Sequence, residues 1–292
     1  MIRGALACVA VATWGGAALA QNPTPLDTQM STPTSTDHAR VNGVELYYEI
    51  HGAGPPLVML HGGVYPAEMF GTPLARMAQS HTVIAPHFQG HGFSKDGERP
   101  WSYEAFADDV AALLAELEIA KASVMGYSAG AAAAVQLAIR HPAIVDKLVV
   151  ISVAFRSDGE YPEISQAFVN MPNVATAIAA NIRSSPLATM YPDVDWEGVM
   201  RKTGALNAAR RDWSEGVAHI DAPTLLMFAD ADSIRPAHIV EFYELLGGGQ
   251  RDAGLDGSLR PANRLAIIPN TTHYNVLSAD ATIRFAVDFL TR

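Results

Sequence analysis

Cysteine is almost missing from this chain of 292 residues, and the single one, Cys8, falls within the first twenty. That excludes a disulfide framework, a Cys-based metal site and a thiol nucleophile from the rest of the sequence. A basic excess is missing too. Twenty Lys and Arg stand against 30 Asp and Glu, a formal net charge of -10, whereas nucleic acid and anionic membrane surfaces call for basic patches. Neither is expected as the main partner, which leaves a small molecule. Long apolar runs are absent as well. The longest, Gly4 to Gly16, is too short to span a bilayer.

That short run has another use. Met1-Ile2-Arg3 is a basic start, and Ala18-Leu19-Ala20 is a small-x-small cleavage signal before Gln21. Residues 1–20 are therefore expected to be a cleavable secretory leader, placing the mature chain in the periplasm or outside the cell with no membrane span. Residues 21–40, opening with QNPTPLDTQMSTPTSTD, read as a flexible tail. Residues 41–292 carry the folded domain. At 49% hydrophobic and 17% charged residues the composition is that of a globular protein, and nothing in it sets an oligomeric state.

From Val41 onward short apolar runs recur at Gly43 to Ile50, Pro56 to Leu60, Thr82 to Ala85, Ser123 to Met125, Lys147 to Val153, Thr224 to Phe228 and Arg264 to Ile268. Helical patterns lie between them at Tyr103 to Glu118, Ala129 to Arg140, Ala237 to Leu246 and Ala279 to Leu290. Strands that are apolar throughout and alternate with helices predict an α/β fold, a mostly parallel sheet covered on both faces. One stretch, 154–220, has no strand pattern. Its helical pieces are expected to break at Pro162, Pro172, Pro186 and Pro192, and its apolar members, among them Phe168, Trp196 and Trp213, suggest a small helical cap inserted after strand 6.

The chemistry points to Gly126-Tyr127-Ser128-Ala129-Gly130, a G-x-S-x-G after a buried strand and before a helix. A serine on that sharp turn is held up at the carboxyl edge of the sheet, with a helix N-terminus beneath it that favours negative charge. The hydroxyl needs a base. Of ten histidines, His273 follows the last strand and precedes the final helix, at the right sheet edge, whereas His238 lies inside a predicted helix and reads as a surface residue. The acid that orients the base is assigned to Asp232 in Ala229-Asp230-Ala231-Asp232, with Asp230 left open as the alternative. Amides of Ala129 and of Gly63, or else of Val64, would hold an oxyanion. His87 and His91 are four apart but flank a glycine loop, so no metal site is expected.

Taken together, Leu60-His61-Gly62-Gly63, Gly90-His91-Gly92-Phe93-Ser94, the serine pentapeptide, Asp230-Ala231-Asp232 and Thr272-His273 resemble the α/β-hydrolase superfamily, in its soluble esterase and lipase-like branch. The resemblance implies an eight-stranded, mostly parallel sheet flanked by helices with the second strand antiparallel, a triad of Ser128, Asp232 and His273, and no cofactor. Relatives usually carry Asp where this chain has His87, and Gly where it has Ala229. A serine nucleophile speaks against epoxide hydrolases and haloalkane dehalogenases. The expected activity is cleavage of a carboxylic ester with an apolar part; lactone, amide, perhydrolase or C-C bond chemistry, or a non-catalytic binding role, stay open. Val64, Tyr65, Met69, Phe70, Tyr127, Trp196 and Trp213 are the expected substrate pocket.

Overall fold

Eight strands form one sheet in the order β1-β2-β4-β3-β5-β6-β7-β8. They are β1 (Ser35–Val41), β2 (Val44–His51), β3 (Pro56–Leu60), β4 (Thr82–Pro86), β5 (Ala122–Tyr127), β6 (Val145–Ile151), β7 (Thr224–Ala231) and β8 (Arg264–Thr272). The computed structural model describes residues 32–292, so the expected leader and the first part of the tail lie outside the described residues. β2 runs antiparallel to both its neighbours, and the pairs from β4 to β8 are parallel. This is the arrangement the resemblance implies.

The apolar runs are explained by the pleat, which sends alternate side chains to opposite faces. Val58 and Leu60 of β3 and Val124 of β5 join one core cluster, while Leu57, Met59 and Met125 join another on the other face. The first face is covered by α2 (Tyr103–Glu116), α3 (Ala129–Arg140) and α8 (Pro236–Leu245), the second by α1 (Thr72–Met77) and α9 (Asp280–Thr291). A run of small residues lets α3 sit against the strands: Ala131 to Ala134 are all buried.

The tail ends earlier than the sequence suggests. Ser35 to Arg40 were expected to be flexible, but they extend β1, which pairs with β2 from Ser35–Ile50 to Val41–Val44. The strand is an edge with four exposed polar residues followed by buried Ala39 and Val41, so its composition hides it. Pro172 also departs from expectation. Pro162 and Pro186 open α4 (Pro162–Arg183) and α5 (Pro186–Met190), where their missing N–H costs nothing, but Pro172 lies inside α4 without ending it. Its ring faces α6 (Trp196–Ala208) at Gly204, where a Cβ would come within 2.8 Å of Pro172 Cδ.

These helices and α7 (Ser214–Ala218) form the cap. Two short antiparallel bridges fix it to the sheet edge: Arg156 with Asp212, and Glu160 with Ile234. Lys202 of α6 adds an ion pair to Asp96 at 2.5 Å. His238, expected at the surface, is buried at 2% exposure and stacks on Phe155 with ring centroids 4.0 Å apart. The helical period alone does not tell which face of α8 meets the cap base.

Candidate active site

Ser128 stands between β5 and α3 with φ 53° and ψ -116°, a region that costs a non-glycine residue strain. The flanking glycines make the turn possible. A Cβ on Gly126 would overlap the Gly130 carbonyl, and one on Gly130 would overlap the Leu60 carbonyl of the neighbouring strand. The Ser128 amide is anchored to the Ile151 carbonyl of β6 at 2.9 Å.

His273 arrives at the same edge just after β8. Its Nε2 is 3.1 Å from Ser128 Oγ and its Nδ1 is 3.1 Å from Asp232 Oδ1. The Tyr127 hydroxyl donates to the His273 carbonyl at 2.6 Å, fixing the backbone that carries the ring. The Asp232 side chain is buried, with 1% of it exposed. Its Oδ2 accepts from Ser152 Oγ at 2.5 Å and from the Ala229 amide at 2.9 Å, and its Oδ1 accepts from the Ser233 amide at 2.8 Å. Burial pushes this carboxyl upward, but hydrogen bonds from His273 and Ser152 and the charge of His273 hold it below its ordinary value. Asp230 does something else: it accepts from the Asn270 and Thr271 amides and so clips the end of β8 to β7.

Ala129 opens α3, so its amide has no carbonyl one helical turn back to bond. Gly63 lies beside it, since a Cβ built on Gly63 would stand 4.0 Å from that of Ala129. The loop carrying Gly63 is held by His61, whose Nδ1 meets the Gly62 carbonyl at 2.7 Å while Nε2 accepts from the Phe88 amide at 3.0 Å. That pairing assigns the neutral tautomer with the proton on Nδ1, and complete burial holds the ring well below its usual pKa. His87 and His91 pack beside it, at ring distances of 6.1 and 5.1 Å. In place of an aspartate, His87 accepts the Phe93 amide on Nδ1 at 3.1 Å, over Gly92, where a Cβ would strike its ring. Burial lowers His87 to about 3 and His91 to about 4. Among the described residues no cluster of His, Cys, Asp and Glu has the arrangement of a metal site.

Ser128, Ala129 and His273 line a cavity of about 40 Å³ beneath the cap. Its apolar wall includes Val153, Ile164, Phe168 and Ile234, and its polar end is made by Tyr103, Glu160, Asn207 and Arg211. The expected pocket residues are not in that lining. Phe70 and Trp196 are buried in the two main core clusters, and Val64, at φ 74°, packs on the edge of one of them. Tyr127 lies beneath His273, and Tyr65 is half-buried. Trp213 sits edge-on to Tyr103 in a neighbouring depression of about 310 Å³. The Met69 side chain lies outside the described residues. The aromatics expected in the pocket are absorbed in seating the loops and the cap, and other aromatics, Tyr103, Phe168 and Tyr274, face the cavity together with residues of mixed polarity.

Sequence reasoning missed Ser152 and Ser233. Ser152 follows β6 directly, at φ 55°, and a polar residue at the carboxyl end of a strand beside the serine was the signal available. Arg211 and Glu160 carried no such signal.

Comparison with known proteins bears on the fold that carries this site. A 120-residue stretch is 32% identical to an uncharacterized protein of Mycobacterium tuberculosis (strain ATCC 25618 / H37Rv), spanning 41% of this chain and only 35% of that protein. The 2-(acetamidomethylene)succinate hydrolase of Mesorhizobium japonicum (strain LMG 29417 / CECT 9101 / MAFF 303099) is 24% identical over 284 residues, 89% of this chain and 99% of the relative. The crystal structure of the enol-lactonase from Burkholderia xenovorans LB400 superposes with a TM-score of 0.68 at 25% identity, covering 88% of this chain and all of that one. The alpha/beta hydrolase family matches residues 57–285, and the chain belongs to that family.

Proposed function

We propose that this protein is a secreted or periplasmic serine hydrolase that cleaves a carboxylic ester through an acyl-enzyme. The observation that carries the reading is the pair of 3.1 Å distances linking Ser128 Oγ to His273 Nε2 and His273 Nδ1 to Asp232 Oδ1. As Ser128 Oγ attacks the acyl carbon its proton passes to His273 Nε2. Asp232 keeps Nδ1 protonated and stabilises the resulting imidazolium. The oxyanion of the tetrahedral intermediate accepts hydrogen bonds from the amides of Ala129 and Gly63, each worth about 3 kcal/mol. Collapse expels the alcohol, which takes the proton from His273. Water then attacks the acyl-serine with His273 as base, releasing the acid and restoring the hydroxyl.

A lactone is an internal ester and passes through the same steps. The likeness to the enol-lactonase along most of the chain supports this as the second reading. The leader expected at residues 1–20 supports export, which a signal-peptide deletion and fractionation test separately.

The direct test is hydrolysis of 4-nitrophenyl esters of increasing acyl length beside Ser128→Ala, with fluorophosphonate labelling of both proteins. Activity and labelling lost together in the variant are expected. Equal rates in both proteins overturn the role of Ser128.

A further inference from the structure

The polar end of the catalytic cavity contains a cation whose hydrogen bonds are incomplete. Arg211 has 8% of its side chain exposed, as does Glu160, to which its Nη2 donates at 2.5 Å. Nε reaches the Ala154 carbonyl at 3.4 Å. Nη1 is buried and has no hydrogen-bond partner among the described residues, while the guanidinium carbon lies 5.7 Å from the centroid of the Trp213 ring. A guanidinium carries five N–H donors in a fixed fork, and leaving some of them buried and unmet is unfavourable unless something completes them.

One role for the pair is to brace the cap, and its backbone setting fits that. The Arg211 amide donates to Ser157 Oγ at 2.7 Å, Ser157 returns its own amide to the Arg211 carbonyl at 3.0 Å, and Glu160 is bridged to Ile234. A brace needs only Nη2, however. It explains neither the unpartnered Nη1 nor why the ion pair stands in the wall of the cavity that holds Ser128. Beside it, Asn207 accepts from the Tyr103 hydroxyl at 2.8 Å and donates to the Thr203 carbonyl, so this end of the cavity is polar and already ordered. The elements Arg211 joins are fixed, and the donor is preoriented before any ligand arrives.

We propose that the substrate carries a free carboxylate in addition to the bond that is cleaved, and that Arg211 binds it through Nη1. The inference rests on the reading of Ser128 as the nucleophile and names the substrate class for that site. Glu160 sets the orientation of the guanidinium and leaves one side of the fork for the ligand. With a surface that is acidic on balance, recognition of an anion depends on this local cation and not on long-range attraction.

The experiment compares each acid with its methyl ester on the full chain: mono-4-nitrophenyl succinate against methyl 4-nitrophenyl succinate, and 4-acetoxybenzoate against methyl 4-acetoxybenzoate. The two pairs place the carboxylate on the acyl side and on the leaving group. In at least one pair kcat/KM is expected to favour the acid by about tenfold or more. Arg211→Gln combined with Glu160→Gln, which leaves no buried charge unpaired, is expected to bring that ratio close to one, and Arg211→Lys to retain part of it. A wild-type ratio at or below one in both pairs overturns the proposal while leaving the esterase reading intact, and so does a preference that survives in the double variant. Should the double variant fail to fold, the wild-type ratio and Arg211→Lys decide. If neither pair is hydrolysed and fluorophosphonate does not label Ser128, the ester reading fails by itself. The carboxylate site is then judged by thermal shift of Ser128→Ala with monomethyl succinate: a shift that Arg211→Lys weakens supports it, and no shift overturns it.

Discussion

Asp232→Asn is the substitution that separates the two carboxylates on the loop after β7. In the wild type both oxygens of Asp232 accept backbone amides, Oδ1 from Ser233 and Oδ2 from Ala229, and Oδ2 also accepts from Ser152. An asparagine amide therefore meets a donor whichever way it is turned. Keeping its oxygen on the side with two donors, Ala229 and Ser152, points its NH2 at His273 Nδ1. The imidazole then has to accept on Nδ1 and carry its proton on Nε2, which faces Ser128, and it can no longer take the proton from the hydroxyl. The expected loss in kcat is about 10⁴-fold, the scale seen when a triad aspartate becomes an amide, or about 5 kcal/mol of barrier. Asp230→Asn disturbs only the clip to the Asn270 and Thr271 amides and should leave kcat within about threefold, the size of effect usual for exposed sites. Steady-state hydrolysis of 4-nitrophenyl acetate, with circular dichroism to show that both variants are folded, reads the difference. The assignment is refuted if Asp232→Asn keeps more than a tenth of wild-type kcat, or if the two variants lose activity equally.

Ser152→Gly removes the hydroxyl from Asp232 while suiting the positive φ of that position; losing one hydrogen bond to a buried carboxylate should lower kcat about tenfold, and an unchanged kcat would argue against Ser152 as a positioning residue. Stability should fall between pH 7 and pH 5. His91 and His87 remain neutral in the folded protein down to about 4 and about 3, whereas the unfolded chain takes up protons once pH drops below about 6.5. The stabilisation is whole above that value and is lost at about 1.4 kcal/mol per pH unit for each ring as pH falls through the window. Urea melts at pH 7 and pH 5 would show a lower midpoint at pH 5, and equal midpoints would contradict the burial argument. Phe168→Ala, which opens the apolar wall, should move the acyl-length optimum to longer chains. Trp196→Ala, away from the cavity, should not, and a profile altered by the second and unaltered by the first would invert the picture of the pocket.

What could be read in advance follows from how local each signal is. β3 and β5 announce themselves because a strand covered on both faces is apolar at every position, and the serine turn because its two glycines flank the serine within five residues, even though Gly130 answers a contact with Leu60 of the neighbouring strand. His273 stood out because a base for the serine has to come from the same sheet edge, and few histidines follow a strand. β1 was hidden by its polar residues, which suit an edge that water reaches on one side. The choice between Asp232 and Asp230 depended on which carboxylate the loop turns inward, toward Ser152 and His273, and which it turns back onto β8. Spacing along the chain does not contain that information.

The cap illustrates the same limit and gives it a consequence. Apolar content in residues 154–220 suggests a helical insertion, but counting aromatics does not tell which of them face the cavity, because covering the cap's own core takes up several of the largest. Arg211 and Glu160 are 51 positions apart and meet only because the chain enters and leaves the cap along two short bridges. On the entry side, the Tyr161 amide bonds the Ser233 carbonyl and the Arg235 amide bonds the Gly159 carbonyl. Ser233 is the residue next to Asp232 and lies 3.1 Å from His273 Nδ1. The base of the cap and Asp232, the proposed partner of His273, are therefore built from adjoining residues of one loop. A ligand that engages Arg211 is bound at the same scaffold that sets the orientation of Asp232, so recognition at the polar end of the cavity and alignment of His273 share their supports.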